Sequence, residues 1–114
     1  MKNVTLRQLK VFEAVANHLS FSRAAEELHL TQPAVSMQVQ ALVEQAGVPL
    51  FEQIGKKIYL TAAGEELLRH ARRIAQQLRE ADEAMASIRG VRGGRLDIGV
   101  VSTAKYIAPR LLVA

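Results

Sequence analysis

The sequence predicts a mainly α-helical chain carrying one short β-hairpin, and three observations lead there. Apolar residues recur at three- and four-residue spacings through most of residues 6–88, the period of an amphipathic helix. Thr5, Ser20, Thr31 and Thr61 each stand just ahead of such a run, where a side-chain oxygen can cap a helix. Only residues 50–60 depart from the pattern, as two short β-prone runs around a Gly-Lys tip. The 114 residues are 49% apolar and 4% aromatic, with no Trp, which suits one small domain with an aliphatic core and excludes a wholly disordered chain. The absence of Cys excludes a disulfide scaffold, a thiolate zinc site and a cysteine nucleophile. No apolar run approaches the ~20 residues of a membrane span, and the N-terminus lacks the apolar stretch of a secretory signal. A soluble cytoplasmic chain without membrane association is therefore expected.

Thr5 is placed to cap the first helix, with Gln8 at the capping-box spacing. Leu6, Leu9, Phe12, Val15, Ala16 and Leu19 then keep helical spacing. Ser20 starts a second, short helix with Phe21, Ala24, Ala25 and Leu28 on one face. His29 and Leu30 leave room only for a tight turn before Thr31, the cap of a third helix. Pro33 falls in its first turn, where a missing N–H costs nothing, and Gly47, with Pro49 beyond, ends it after Ala46. Residues 50–54 and 58–60 flank Gly55-Lys56-Lys57 and predict a hairpin. Thr61 caps a long helix from about Ala62 to Arg89, which Gly90 and Gly93-Gly94 are expected to break into a hinge. Residues 96–101 predict a strand, and Ser102 or Thr103 opens a short helical segment.

The third helix carries the first functional signal. On a wheel of about 100° per residue, Val35, Val39, Leu42 and Ala46 share one narrow arc and are core positions. Pro33, Ser36, Met37, Gln40 and Glu44 lie opposite, with Gln32 at the helix start. Gln bonds bidentately to adenine, Ser to several bases or a phosphate, and a Pro or Met surface touches a thymine methyl. Free N–H groups at the helix start also suit a phosphate. The short link between the second and third helices is what a helix-turn-helix requires. Any amphipathic helix has a polar outer face, however, so the same pattern also fits an ordinary small α domain.

Net charge decides less. The formal charge is +4, but residues 1–60 hold six basic and five acidic groups, and residues 61–93 the same. If the chain binds DNA, placement matters more than the sum. Lys56 and Lys57 at the hairpin tip suit a wing that grips backbone or minor groove, directly after the helix-turn-helix. An isolated Gly-Lys tip would serve only solubility and turn geometry. Arg23 starts the positioning helix and is a further phosphate candidate; Arg7 and Lys10 are weaker ones, read as solvated surface charges.

Along the long helix, Leu67, Ala71, Ile74, Leu78, Ala81, Met85 and Ile88 alternate spacings of four and three, a heptad seam. Such a helix, about 42 Å long at 1.5 Å per residue, is long for so small a body, so much of the seam is expected to pair with a second chain. Packing wholly on its own domain is the competing arrangement.

Taken together, the linked stretches Leu6-Arg7-Gln8-Leu9, residues 20–36, Leu50-Phe51 and residues 60–64 resemble the LysR-type transcriptional regulators. Residues 31–39, 98–106 and 108–112 resemble most the subgroup that regulates Calvin-cycle carbon-fixation operons. The resemblance implies a winged helix-turn-helix with a β-hairpin wing over 1–61, a linker or dimerisation (coiled-coil) helix over 62–90, a hinge at 91–94 and the truncated start of an effector-binding domain over 95–114. It implies binding of double-stranded DNA by a homodimer at an interrupted inverted repeat, a tetramer in full-length relatives, and a small-molecule effector only where the rest of that domain is present. The chain is accordingly expected to be a fragment or shortened form. The expected DNA-contacting set is Arg23, Thr31, Gln32, Pro33, Ser36, Met37, Gln40, Gln53, Lys56 and Lys57, and the resemblance implies that Ser102 and Thr103 are a remnant of the effector site. Many family members carry Arg or Lys where this chain has Met37, and Arg where it has Gln53, so the wing's grip leans on Lys56 and Lys57.

Enzymatic chemistry finds no support. Glu26 with His29, and Glu66 with His70, have spacings that metal sites use, but neither pair has further ligands nearby. Ser36 has no matched base, and there is no P-loop or dinucleotide fingerprint. No cofactor is expected. The alternative function is a winged-helix or coiled-coil protein-interaction module, which would call for more aromatic and aliphatic anchors on the third helix.

Overall fold

The computed structural model describes residues 1–92. Their order is α1 (Leu6–His18), α2 (Phe21–Leu28), α3 (Gln32–Ala46), β1 (Phe51–Ile54), β2 (Lys57–Leu60) and α4 (Ala62–Arg92). Contacts divide the chain after Ala75 into two units, the first being Met1–Ala75. The expected hinge, the strand of residues 96–101 and the effector remnant Ser102 and Thr103 all lie outside the described residues.

Local capping explains where the helices begin. Thr5 Oγ1 accepts from the Gln8 N–H at 3.1 Å while Gln8 Oε1 accepts from the Thr5 N–H at 3.0 Å, a complete capping box. Ser20 Oγ accepts from the Arg23 N–H at 3.1 Å, and Thr31 Oγ1 from the Ala34 N–H at 3.2 Å. The helix ends are as sharply made. Gly47 closes α3 at φ 78°, with its N–H on the Val43 carbonyl at 2.9 Å. His29 closes α2 at φ 57°; its N–H reaches Glu26 O and the Leu30 N–H reaches Ala25 O, the paired bonds of a Schellman motif. That closure makes the turn between α2 and α3 only three residues long.

The first unit is built on two joined apolar clusters. Leu9, Phe12, Ala16, Leu42, Leu50, Leu68 and Ala71 form one, and Val11, Ala14, Val15, Ala24, Ala25, Val35 and Val39 the other. Phe51 touches both: its ring lies 5.4 Å from that of Phe12 and 5.9 Å from that of Phe21, tilted geometries that aromatic pairs favour. The three Phe of the chain thus tie the hairpin to α1 and α2. Leu6 and Leu19, grouped with the apolar positions of α1 by spacing, are exposed instead. They lie at the two ends of α1, past the part of the helix that its neighbours cover.

The hairpin joins the start of α4 through backbone. Leu50 O accepts from the Thr61 N–H at 3.0 Å, and Thr61 Oγ1 donates to Pro49 O at 2.7 Å while capping Gly64 N at 3.0 Å. Gly64 sits so close that a Cβ would lie 2.1 Å from Leu50 O and 2.8 Å from Leu60 Cδ2. Only glycine fits there. Gly90, expected to help end the helix, lies within it, because α4 continues to Arg92. A single glycine costs a helix only about 1 kcal/mol relative to Ala, too little to stop a long run alone.

Two of the seam positions also pack within this chain. Ala71 is 3% exposed and belongs to the first core cluster, and Leu67 packs against that cluster. Both serve this domain's own core, as does Leu68. Arg72 adds a polar tie from α4 to α1, donating from Nη2 to Asn17 Oδ1 at 2.8 Å with Nε 3.9 Å from Glu13. Ile74, Leu78, Ala81, Met85 and Ile88 are exposed. Within the second unit, Gln76 accepts from Arg79 and donates to Glu80, ordinary pairings along a helix surface.

Candidate nucleic-acid interface

α3 divides as its sequence pattern requires. Val35, Val39 and Leu42 are buried, and Ala46 packs at the edge of the core. Gln32, Pro33, Ser36, Met37, Gln40 and Glu44 are all exposed on the other side. Met37, at 72%, is the most exposed large apolar residue among those described. Met37 thus leaves a thioether open to solvent on the outer face of α3.

The start of α3 offers fewer free backbone donors than its position suggests. Thr31 Oγ1 takes the Ala34 N–H, Pro33 has none, and the Val35 N–H is bonded to Thr31 O. These three positions thus leave no free backbone N–H for an anion. The Gln32 side chain turns toward α2: its Oε1 accepts from the Ser22 hydroxyl at 3.2 Å. Arg23, next to Ser22, is exposed.

β1 and β2 pair antiparallel, with Phe51 opposite Leu60, Glu52 opposite Tyr59, Gln53 opposite Ile58 and Ile54 opposite Lys57. The connecting turn is therefore Gly55-Lys56 alone, with Gly55 at φ 65°. Glycine first in a two-residue hairpin loop is the signature of a type II′ turn. Lys57, read from sequence as part of the tip, is the first residue of β2. Lys56 and Lys57 are both exposed. Gln53 shares the inward face with Phe51, Ile58 and Leu60, yet its side chain reaches past the core and donates from Nε2 to Gly55 O at 3.3 Å. It braces the turn that carries the lysines. Ile54, on the opposite face and 61% exposed, leaves an apolar spot beside them.

Two contacts join residues that no single stretch of sequence brings together, Ser22 with Gln32 and Gly64 with Leu50. Ser22 had no separate signal, because its partner Gln32 is ten positions away across a turn. Gly64 was legible only as part of a motif. The histidines make simple pairs: His18 Nε2 lies 2.6 Å from Glu27 Oε1, and His70 Nε2 3.2 Å from Glu66 Oε2. Hydrogen bonds from Arg69, and then from His70, hold the exposed Glu66 carboxyl below the ordinary carboxylate range. Among the described residues no three His, Cys, Asp or Glu gather as a metal site, and no helix is long and apolar enough to cross a membrane.

A three-helix head whose third helix bares a mainly polar outer face, followed by a lysine-tipped hairpin, defines a winged helix-turn-helix domain. Residues 6–65 match the family model described as bacterial regulatory helix-turn-helix protein, lysR family. The chain belongs to the LysR family. It is 56% identical over 110 residues to a RuBisCO operon transcriptional regulator of Allochromatium vinosum, covering 96% of this chain and 36% of that protein. It is 59% identical over 107 residues to the HTH-type transcriptional regulator CbbR of Rhodospirillum rubrum, covering 94% of this chain and 36% of that one. The chain thus spans about a third of the length of these relatives, which are named as regulators and not as enzymes. Among solved structures, the CbnR DBD–DNA complex matches with TM-score 0.67 and 43% identity, covering 75% of this chain and 99% of that one. The BenM DBD bound to catB site 1 DNA matches with TM-score 0.71 and 30% identity, covering 74% and 93%.

Proposed function

We propose that this chain is the DNA-reading region of a transcriptional regulator that binds an interrupted inverted repeat as a homodimer. The observation that carries the reading is the outer face of α3, where Gln32, Pro33, Ser36, Met37 and Gln40 are exposed and the core makes no use of them. Short polar groups and a thioether at a helix start suit base edges and thymine methyls. A protein-binding face would instead present several large anchors. Lys56 and Lys57, with Arg23, supply phosphate contacts that position the helix without reading sequence. Thr31 contributes chiefly as the cap that fixes the start of α3, and Gln53 as the brace of the wing.

The apolar stripe Ile74, Leu78, Ala81, Met85 and Ile88 supports the dimer. Those positions stay exposed in one chain and continue a four-three repeat. Two heads related by a two-fold axis demand half-sites about one helical turn of DNA apart, or a multiple of it. The target is a carbon-fixation operon, a reading supported by relatives named as RuBisCO operon regulators. Action on DNA inside the cell places the protein in the cytoplasm, at the nucleoid.

Selection from a random-sequence DNA pool tests the reading. An enriched interrupted palindrome is the expected result, and no enrichment at either low or moderate salt would falsify it. A rubisco-operon promoter fragment that competes no better than unrelated DNA of equal length would remove the assignment of the target while leaving the DNA-binding reading intact.

A further inference from the structure

We infer that Ser22 is a positioning residue for base recognition: it holds the Gln32 carboxamide so that this side chain reads as a hydrogen-bond donor. The inference rests on the proposed DNA-reading function of α3. Ser22 lies in the first turn of α2 and Gln32 is the first residue of α3. The short Schellman-closed turn brings these two helix starts together, and Ser22 Oγ comes within 3.2 Å of Gln32 Oε1. An amide oxygen has no hydrogen, so the hydroxyl must be the donor. Ser20, not Ser22, caps α2, so the Ser22 hydroxyl is not required to start its own helix.

The consequence lies in how a glutamine reads DNA. A free carboxamide turns over readily and offers either its oxygen or its NH2 to a base. With Oε1 held toward Ser22, Nε2 with its two hydrogens is the part left to face outward. A donor suits adenine N7, guanine N7 and O6, and thymine O4, whereas the major-groove edge of cytosine presents only the N4 donor. Holding the side chain also removes rotamer freedom before DNA arrives, which lowers the entropy lost on binding. Ser22 therefore sets both the polarity and the readiness of Gln32 without itself touching a base.

Two measurements on the intact chain test this. In the free protein, the Gln32 side-chain NH2 is expected to be ordered by NMR relaxation, to loosen in Ser22→Ala, and to remain ordered in Ser22→Thr, which keeps the hydroxyl. A Gln32 amide equally mobile in wild type and Ser22→Ala overturns the inference whatever the DNA result. In binding, wild type is expected to disfavour cytosine at the base facing Gln32 by about tenfold, and Ser22→Ala to lose most of that margin at the same position. Ser22→Thr restores it, and combining Ser22→Ala with Gln32→Ala adds nothing further there. Uniform weakening of every sequence by Ser22→Ala would make Ser22 a phosphate contact and overturn the proposal. A wild-type chain that enriches no sequence overturns the DNA reading together with this inference, whereas selective wild-type binding with unchanged Ser22→Ala selectivity overturns this inference alone.

Discussion

In the proposed DNA-reading function, single side chains separate recognition from attachment. Gln32, exposed at the start of α3, is the proposed base reader, and Gln32→Ala is expected to relax preference at one operator position by about 1–3 kcal/mol. Lys56→Ala and Lys57→Ala should instead weaken all sequences alike, each lowering the salt slope of log K by about 1. Mobility shifts on a panel of single-base operator variants distinguish the two behaviours. Gly64 controls stability rather than recognition. A methyl at 2.1 Å from Leu50 O and 2.8 Å from Leu60 Cδ2 forces the hairpin and α4 apart, and Gly64→Ala is expected to cost at least about 1–3 kcal/mol in denaturant unfolding. Glu66 gives a pH signature. Its carboxyl titrates lower in the fold than the ordinary value of 4.5 because Arg69 and His70 bond to its charged form. The resulting stabilisation is complete above that ordinary value and fades as pH falls through the lowered one. Thermal melts in that acid range should show the fade in the native chain and a smaller one in Glu66→Gln.

Among the elements, capped helices match their sequence signals because the signals are local. The Thr5–Gln8 box, the Ser20 and Thr31 caps and the Gly47 stop each involve residues three or four apart, the range over which a helix interacts with itself. The turn between α2 and α3 is a local solution with a cost. His29 holds φ 57°, a left-handed conformation that costs a non-glycine residue about 1–2 kcal/mol. His29 is exposed, so His29→Gly should gain roughly 0.5–1 kcal/mol after glycine's own entropy cost, visible as a higher Tm. The hairpin was legible as two β-prone runs. Its two-residue turn, which moves Lys57 into a strand, was not, because a strand register depends on the partner opposite.

For the whole molecule, the seam on α4 shows where sequence period stops being informative. A regular four-three spacing from Leu67 to Ile88 looks continuous, yet Ala71 is buried in the first unit and Leu67 packs beside it, while Leu78, Met85 and Ile88 stay exposed. Dimerisation should therefore respond to the later positions. Leu78→Glu with Met85→Glu is expected to yield monomers by analytical ultracentrifugation with helical head signals retained, and to weaken operator binding through loss of the second head. Dimer stability unchanged by this pair would rule out the seam as the interface. The sequence by itself determined the order of the elements, their caps, the inward and outward faces of α3 and the family, since each of these is written in periodicity, local hydrogen bonding or contiguous motifs. Tertiary structure alone decided that Ala71 belongs to the core, that Gly64 must lack a Cβ, and that Ser22 meets Gln32. These three facts depend on surfaces brought together from distant parts of the chain, and no local period encodes which surface arrives first.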